Sequence, residues 1–110
     1  MFKINLEYVK GILFVRLKGN LNKKTSQKIY NYLVPVIMKY GIKYIVYNLY
    51  ELETIDDMGI KSFNYTKSAV QSNQGIIYIC ELPESLKNEF VATDIDIIKN
   101  ELSAMELIKL

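Results

Sequence analysis

"GIKYIVYNLYELETIDDMGIKSF", residues 41–63, changes pattern twice, and those changes decide the fold class. From Lys43 to Tyr50 apolar and aromatic residues follow one another almost without a break, over the length of a strand. Such a run suits a central strand covered on both faces. "ELETIDDMG" is polar and reads as a loop. From about Met58 to Ser72 the apolar residues Ile60, Phe63 and Val70 point inward at helical spacing. A buried strand, a short acidic loop and an amphipathic helix make the first part of a βαβ unit.

The flanks extend the same alternation. "NQG" closes the helix and "GIIYIC", residues 75–80, is a second fully apolar strand. These two strands should form the middle of the sheet, with Ile45, Tyr47, Leu49, Ile77, Ile79, Phe63 and Phe90 in the core. Upstream, "FKINLEYV" and "ILFVRLKG" are strand-like and meet at Lys10-Gly11, where glycine suits a tight hairpin turn. "GNLN" breaks the pattern, and Asn22 can cap a helix running from Lys23 to Tyr40. Ile29, Leu33, Val36, Ile37 and Tyr40 mark its apolar face. Pro35 should kink that helix, and Gly41 should end it. Pro83 opens a third helix, "PESLKNEFVA", with Leu86 and Phe90 inward. "IDII" reads as a short edge strand and "LSAMELIKL" as a last amphipathic helix. The order ββαβαβα(β)α predicts an α/β fold: one domain over 1–110, with a mixed four- to five-stranded sheet and about four helices packed on it.

Composition narrows the function. The chain has 110 residues, half of them hydrophobic, and a net charge of +2. That is globular, and the lysines are too dispersed to point to nucleic acid. A single cysteine, Cys80, permits no intramolecular disulfide and fits a reducing, cytoplasmic setting. No apolar run approaches the roughly 18–20 residues of a membrane span, so no direct membrane insertion is expected. Histidine is absent, which removes the commonest general base and metal ligand. There is no phosphate loop and no Cys/His cluster, so the expectation is no enzyme and no cofactor or metal. Cys80 reads as a core thiol, and the nine tyrosines read as amphipathic packing.

Asp56 and Asp57 are the sharpest local feature. Neighbouring residues rarely aim at one target, so they make a poor acid/base pair. Two carboxylates could hold Mg²⁺ beside a phosphate, but nothing nearby would bind the phosphate. The local reading is a helix N-cap, where a carboxylate accepts backbone N–H groups at the positive end of the helix dipole.

Element order and loop together resemble the STAS domain, named for sulfate transporters and anti-sigma factor antagonists. "LKGNLNKKT" is similar to the family's G-x-L-[DN]-x-x-T approach to its first helix. "GIKYIVYNLYELETIDDMGI" is similar to its central strand followed by [IVL]-D-[ST]-S-G-[ILV], and "NQGIIYIC" to the next strand. The resemblance spans nearly the whole chain, and its stand-alone size is that of the bacterial anti-sigma factor antagonist branch. It implies a non-enzymatic switch that docks on an anti-sigma factor of the serine-kinase type and is released when a serine of the loop is phosphorylated. Aligned on Asp56 and Gly59, that phosphoswitch position is Asp57, and the next serine is Met58.

A phosphoserine carries about −1.5 to −2 charges and suits a helix N-terminus. Asp57 supplies about one, permanently. It would act as a mimic of the phosphorylated form, as an adapted docking contact, or as a cap alone. The docking residues implied are Asn22, Lys23, Asp56, Asp57, Met58 and Lys61, with Thr54 and Ser62 the nearest hydroxyls for kinase control. A scaffold or accessory role in a larger assembly or beside a transporter, a small-ligand module with a pocket near Asn48 and Asp56, and homo-oligomerisation stay open.

Overall fold

The computed structural model of the protein describes residues 1–108. Lys10 and Gly11 both take positive φ, 51° and 85°, the twist of a two-residue hairpin. The hairpin joins β1 (Lys3–Val9) to β2 (Ile12–Leu21) antiparallel, from Lys3↔Lys18 to Val9↔Ile12. β3 (Tyr44–Ile55), β4 (Ile76–Cys80) and β5 (Asp96–Ile98) then add in parallel, so the five strands lie in chain order.

Right-handed crossovers that all step the same way place their connecting segments on one face. That face carries α1 (Ser26–Lys28), a π turn (Ile29–Leu33), α2 (Val34–Tyr40), α3 (Asp57–Ser72) and a 3₁₀ segment (Glu84–Phe90). The larger core lies beneath them and includes Ile45, Tyr47, Leu49, Ile77, Ile79, Phe63 and Phe90. Phe63 stacks between Tyr47 and Phe90, at 4.3 and 5.6 Å between ring centroids. The phenol of Tyr47 is fully buried but not orphaned: it shares a 2.7 Å hydrogen bond with the Thr66 hydroxyl. Burial raises its pKa well above the usual phenol value. On the opposite face α4 (Glu101–Leu107) covers a smaller cluster of Ile12, Phe14, Val46, Cys80 and Ala104.

Four local expectations change. Residues 51–55, read as loop, continue β3 and pair with an extended β2 through Gly19↔Leu52 and Leu21↔Ile55. Their polar look reflects a strand arm exposed on one side, held by buried Leu52, Ile55 and Leu21. Two register shifts break the period of two that would have revealed it. The first helix holds a π turn just before Pro35, with the Val34 N–H bonding to the Ile29 carbonyl. Pro35 has no N–H to give to residue 31, and the wider turn absorbs that loss. The extra residue rotates the later turns of the helix: Val34 is buried, Val36 is half-buried, and Tyr40, expected inward, is 65% exposed.

The third helix is 3₁₀ rather than α. It is short, anchored by Leu86 and Phe90, and the Leu86 N–H reaches back to the Pro83 carbonyl at 3.0 Å. The last helix begins at Glu101, capped by Asn100, whose Oδ1 accepts from the Ser103 N–H at 2.9 Å. Residues 109–110 of its expected span lie outside the described residues. Among those described, no helix is long and apolar enough to cross a membrane.

Candidate protein-docking surface

β2 and β3 end side by side, at Leu21 and Ile55. The Asp56 N–H donates to the Leu21 carbonyl at 3.1 Å. Its backbone is extended, so its side chain turns back over the start of α3. Oδ1 accepts from the Gly59 N–H at 2.9 Å, an N-cap. Oδ2 accepts from the Lys23 N–H at 3.1 Å. One carboxylate therefore caps α3 and also holds the loop that begins the first helix. Gly59 is needed for this approach: a Cβ there would sit 2.8 Å from the Leu21 carbonyl oxygen and 2.6 Å from Ile55 Cγ1.

The partner loop is ordered by its own side chains. Asn22 Oδ1 accepts from the Lys24 and Thr25 N–H groups, each at 3.0 Å, and the Ser26 N–H bonds to the Asn22 carbonyl at 2.8 Å. Asn22 thus caps the turn that leads into α1, whose own N-cap position is Thr25 and has no side-chain cap bond. The Thr25 hydroxyl accepts from the Asn22 N–H at 2.8 Å and donates to the Asn20 carbonyl at 2.7 Å. Asn20 Oδ1 accepts from the Thr54 hydroxyl at 2.7 Å. Asn20 was not singled out in the sequence, and Thr25 entered only as the last letter of the G-x-L-[DN]-x-x-T resemblance. The strand pairing Asn20↔Thr54 that brings this set together depends on the two register shifts.

Asn22, Lys23, Asp56, Asp57 and Met58 come together here, and Lys61 lies one turn further along α3. Asp57 is exposed at the first position of α3, with no ion pair or side-chain hydrogen bond among the described residues. The capping that the sequence assigned to the acid pair belongs to Asp56 alone. Met58 is half-buried and Lys61 exposed. Asp57, Lys61 and Tyr65 step by four and share a stripe of the helix. Tyr65 meets Tyr30 edge-on at 5.1 Å, which extends the stripe with aromatic surface that the sequence reading missed. Ser62, one of the two nearby hydroxyls, is fully buried and donates to the Gly59 carbonyl at 2.6 Å. Thr54 is exposed.

A second polar cluster lies on the other face. Arg16 forks onto Glu101 with two bonds of 2.8 Å, and also reaches Glu7 at 2.7 Å. Asn48 donates to Glu101 at 2.8 Å. The hydrogen bonds from Arg16 hold Glu101 below the usual carboxylate range, and those to Glu101 and Glu7 raise Arg16. The nearby cleft, about 210 Å³, is lined by Arg16, Asn48, Tyr50 and Glu81. Asp56 is not among its walls, so this cleft does not join Asn48 to Asp56. Cys80 is buried, and burial pushes its thiol up to about 12, so it stays protonated at neutral pH.

A family model described as "STAS domain" matches residues 3–104. Among solved structures, protein TM1081 of Thermotoga maritima has a TM-score of 0.84 at 16% identity, over 96% of this chain and 93% of that one. The anti-sigma factor antagonist SpoIIAA in its unphosphorylated form gives 0.78 at 15%, over 97% and 96%. An anti-sigma factor antagonist from Mycobacterium paratuberculosis gives 0.79 at 12%, over 98% and 94%. At these identities the structures speak for the fold alone.

Proposed function

Because the chain belongs to the STAS domain family, we propose that it is a non-enzymatic docking module of the anti-sigma factor antagonist kind. Its partner is an anti-sigma factor of the serine-kinase type, met in a bacterial cytoplasm. Residues 1–110 act as one unit. The docking surface comprises Asn22, Lys23, Asp56, Asp57, Met58 and Lys61. One observation carries this reading: the Asp56 carboxylate ties the Lys23 backbone to the capped start of α3. That leaves charged Lys23, Asp57 and Lys61 and half-buried Met58 on one accessible, pre-ordered surface.

Asp57 stands where related antagonists carry the switch serine. It cannot take a serine-type phosphoester, so docking here carries a fixed charge in place of a regulated one. Any kinase control of this loop would act on Thr54, since Ser62 is buried. A scaffold role inside a larger assembly is the second reading. The exposed aromatic surface of Tyr65 beside Tyr30 favours it.

The test is a titration of the purified protein with serine-kinase-type anti-sigma factors of the same cell, using wild type, Asp57→Ala and Asp57→Ser. A complex whose affinity changes in Asp57→Ala supports the reading. Absence of any complex, with the partner shown to be folded and to bind ATP, would sink it.

A further inference from the structure

β1 is an open edge of the sheet, paired with β2 alone. In a two-residue hairpin the residues flanking the turn form a hydrogen-bonded pair, and the pair type alternates from there. Val9, Glu7, Asn5 and Lys3 therefore bond to β2. The N–H and C=O groups of Ile4, Leu6 and Tyr8 face outward, with no strand partner among the described residues. The strand runs seven residues in unbroken register, with no proline or bulge to blunt it.

Its side chains divide by face. Ile4, Leu6 and Tyr8 look toward the first helix, across two clefts of about 260 and 400 Å³. Much of that apolar surface meets solvent: Leu6 is 43% exposed, Tyr8 60% and Tyr32, on the helix, 68%. Asn5 and Glu7 lie on the other face, where both reach Arg16, and Lys3 alternates with them.

Charge on that second face is unbalanced at two points. Glu7 and Glu101 share the one guanidinium of Arg16, so their cluster keeps a net negative charge. Lys3 stands directly opposite Lys18, and like charges opposed across a strand pair disfavour each other. Among the described residues no acid forms an ion pair with Lys3.

A second copy of β1, laid antiparallel about a twofold axis through Asn5, corrects both. Ile4 then opposes Leu6 of the second copy as a hydrogen-bonded pair, so the outward backbone groups meet. Lys3 opposes Glu7 of the second copy as a non-hydrogen-bonded pair, where Cα atoms approach to about 4.5 Å. Opposed residues share a face, so apolar row meets apolar row and both first helices lie on one side of the joined sheet. Centring the axis on Leu6 would set Lys3 against Val9, and centring it on Glu7 would set acid against acid. Lys28 is the one charge in the cleft walls. It is exposed, and its long stem lets the ammonium stay in water.

We propose that two copies of the chain join β1 to β1, antiparallel about Asn5, into one continuous sheet. The interface is isologous and closes on itself. It shares no residue with the surface at the start of α3, so either can fail without the other.

Sedimentation velocity and amide exchange of the full chain test this. The wild type should dimerise, and the amides of Ile4, Leu6 and Tyr8 should exchange more slowly as concentration rises. Lys3→Glu and Glu7→Lys should each weaken dimerisation by about tenfold or more. An equal mixture of the two variants should dimerise again, because opposite charges then face each other. Asn5→Cys, opposed to itself, should give a disulfide-linked dimer on mild oxidation, whereas Tyr8→Cys should not. This arm holds even where Glu7→Lys fails to fold, and buried Cys80 contributes no bridge. A monomer at every concentration, dimers without added protection of those three amides, a mixture no better than its components, or equal cross-linking through Tyr8→Cys would each overturn the proposal.

Discussion

A single carboxylate, that of Asp56, holds two segments that are 33 residues apart in the chain. Replacing it with alanine removes the cap of α3 and releases the Lys23 N–H, and should cost about 1–2 kcal/mol by urea denaturation. Asp57→Ala, which loses only a favourable helix-dipole contact, should cost about 0.3–1 kcal/mol. Equal losses from the two changes would mean that the capping role is shared. Asp57→Ala also reports on docking. If Asp57 repels the partner as a phosphate would, its removal tightens binding. If it is an adapted contact, removal weakens binding. If it serves α3 alone, binding stays put while stability drops. Gly59→Ala should destabilise by about 1–3 kcal/mol, because the new Cβ meets the Leu21 backbone carbonyl as well as the buried Ile55 side chain, and the backbone cannot yield.

At the level of elements, the sheet's middle was readable because burial on both faces leaves an unbroken apolar run, as in Ile45–Tyr47 and Ile77–Cys80. Ile79→Ala should accordingly cost about 2–5 kcal/mol, seen as a lower denaturation midpoint at unchanged slope. The arm of β3 from Glu51 to Ile55 was hidden, because bulges spoil the alternation that marks a half-buried strand. The π turn was half-legible: Pro35 announced a disturbance but not its form. The candidate site was legible in Asp56 and Gly59, and in Thr25 as a motif letter without a role, whereas Asn20 and Tyr65 join it only through strand register and helix packing.

The clasp on α4 was not legible, since Arg16 and Glu101 are 85 residues apart. Glu101 titrates below its usual value in the fold, so its stabilising effect is complete above the unfolded carboxylate value of about 4.3. It fades as pH falls through the lower folded value. Glu101→Gln should therefore lower stability at pH 7 by about 1 kcal/mol, given the partial exposure of Arg16. The gap between variant and wild type should close in acid. A gap that persists at pH 2–3, read by thermal melts, would assign the loss to packing and not to charge.

Across the whole molecule, strands in chain order put every crossover on one face and α4 on the other. The ends of β2 and β3 then present two loops at a single edge, and Asp56 locks them together. Those hydrogen bonds order the two loops in the free protein, so the proposed docking should cost little ordering entropy. The decisive measurement is the affinity of the protein for the proposed partner, a serine-kinase-type anti-sigma factor, by calorimetry, in wild type and in the Met58→Ala, Lys61→Glu double variant. The account predicts at least about tenfold weaker binding with a nearly unchanged melting temperature, since Lys61 is exposed and Met58 half-buried. Undiminished affinity in a well-folded double variant would contradict it and place the interface on another face.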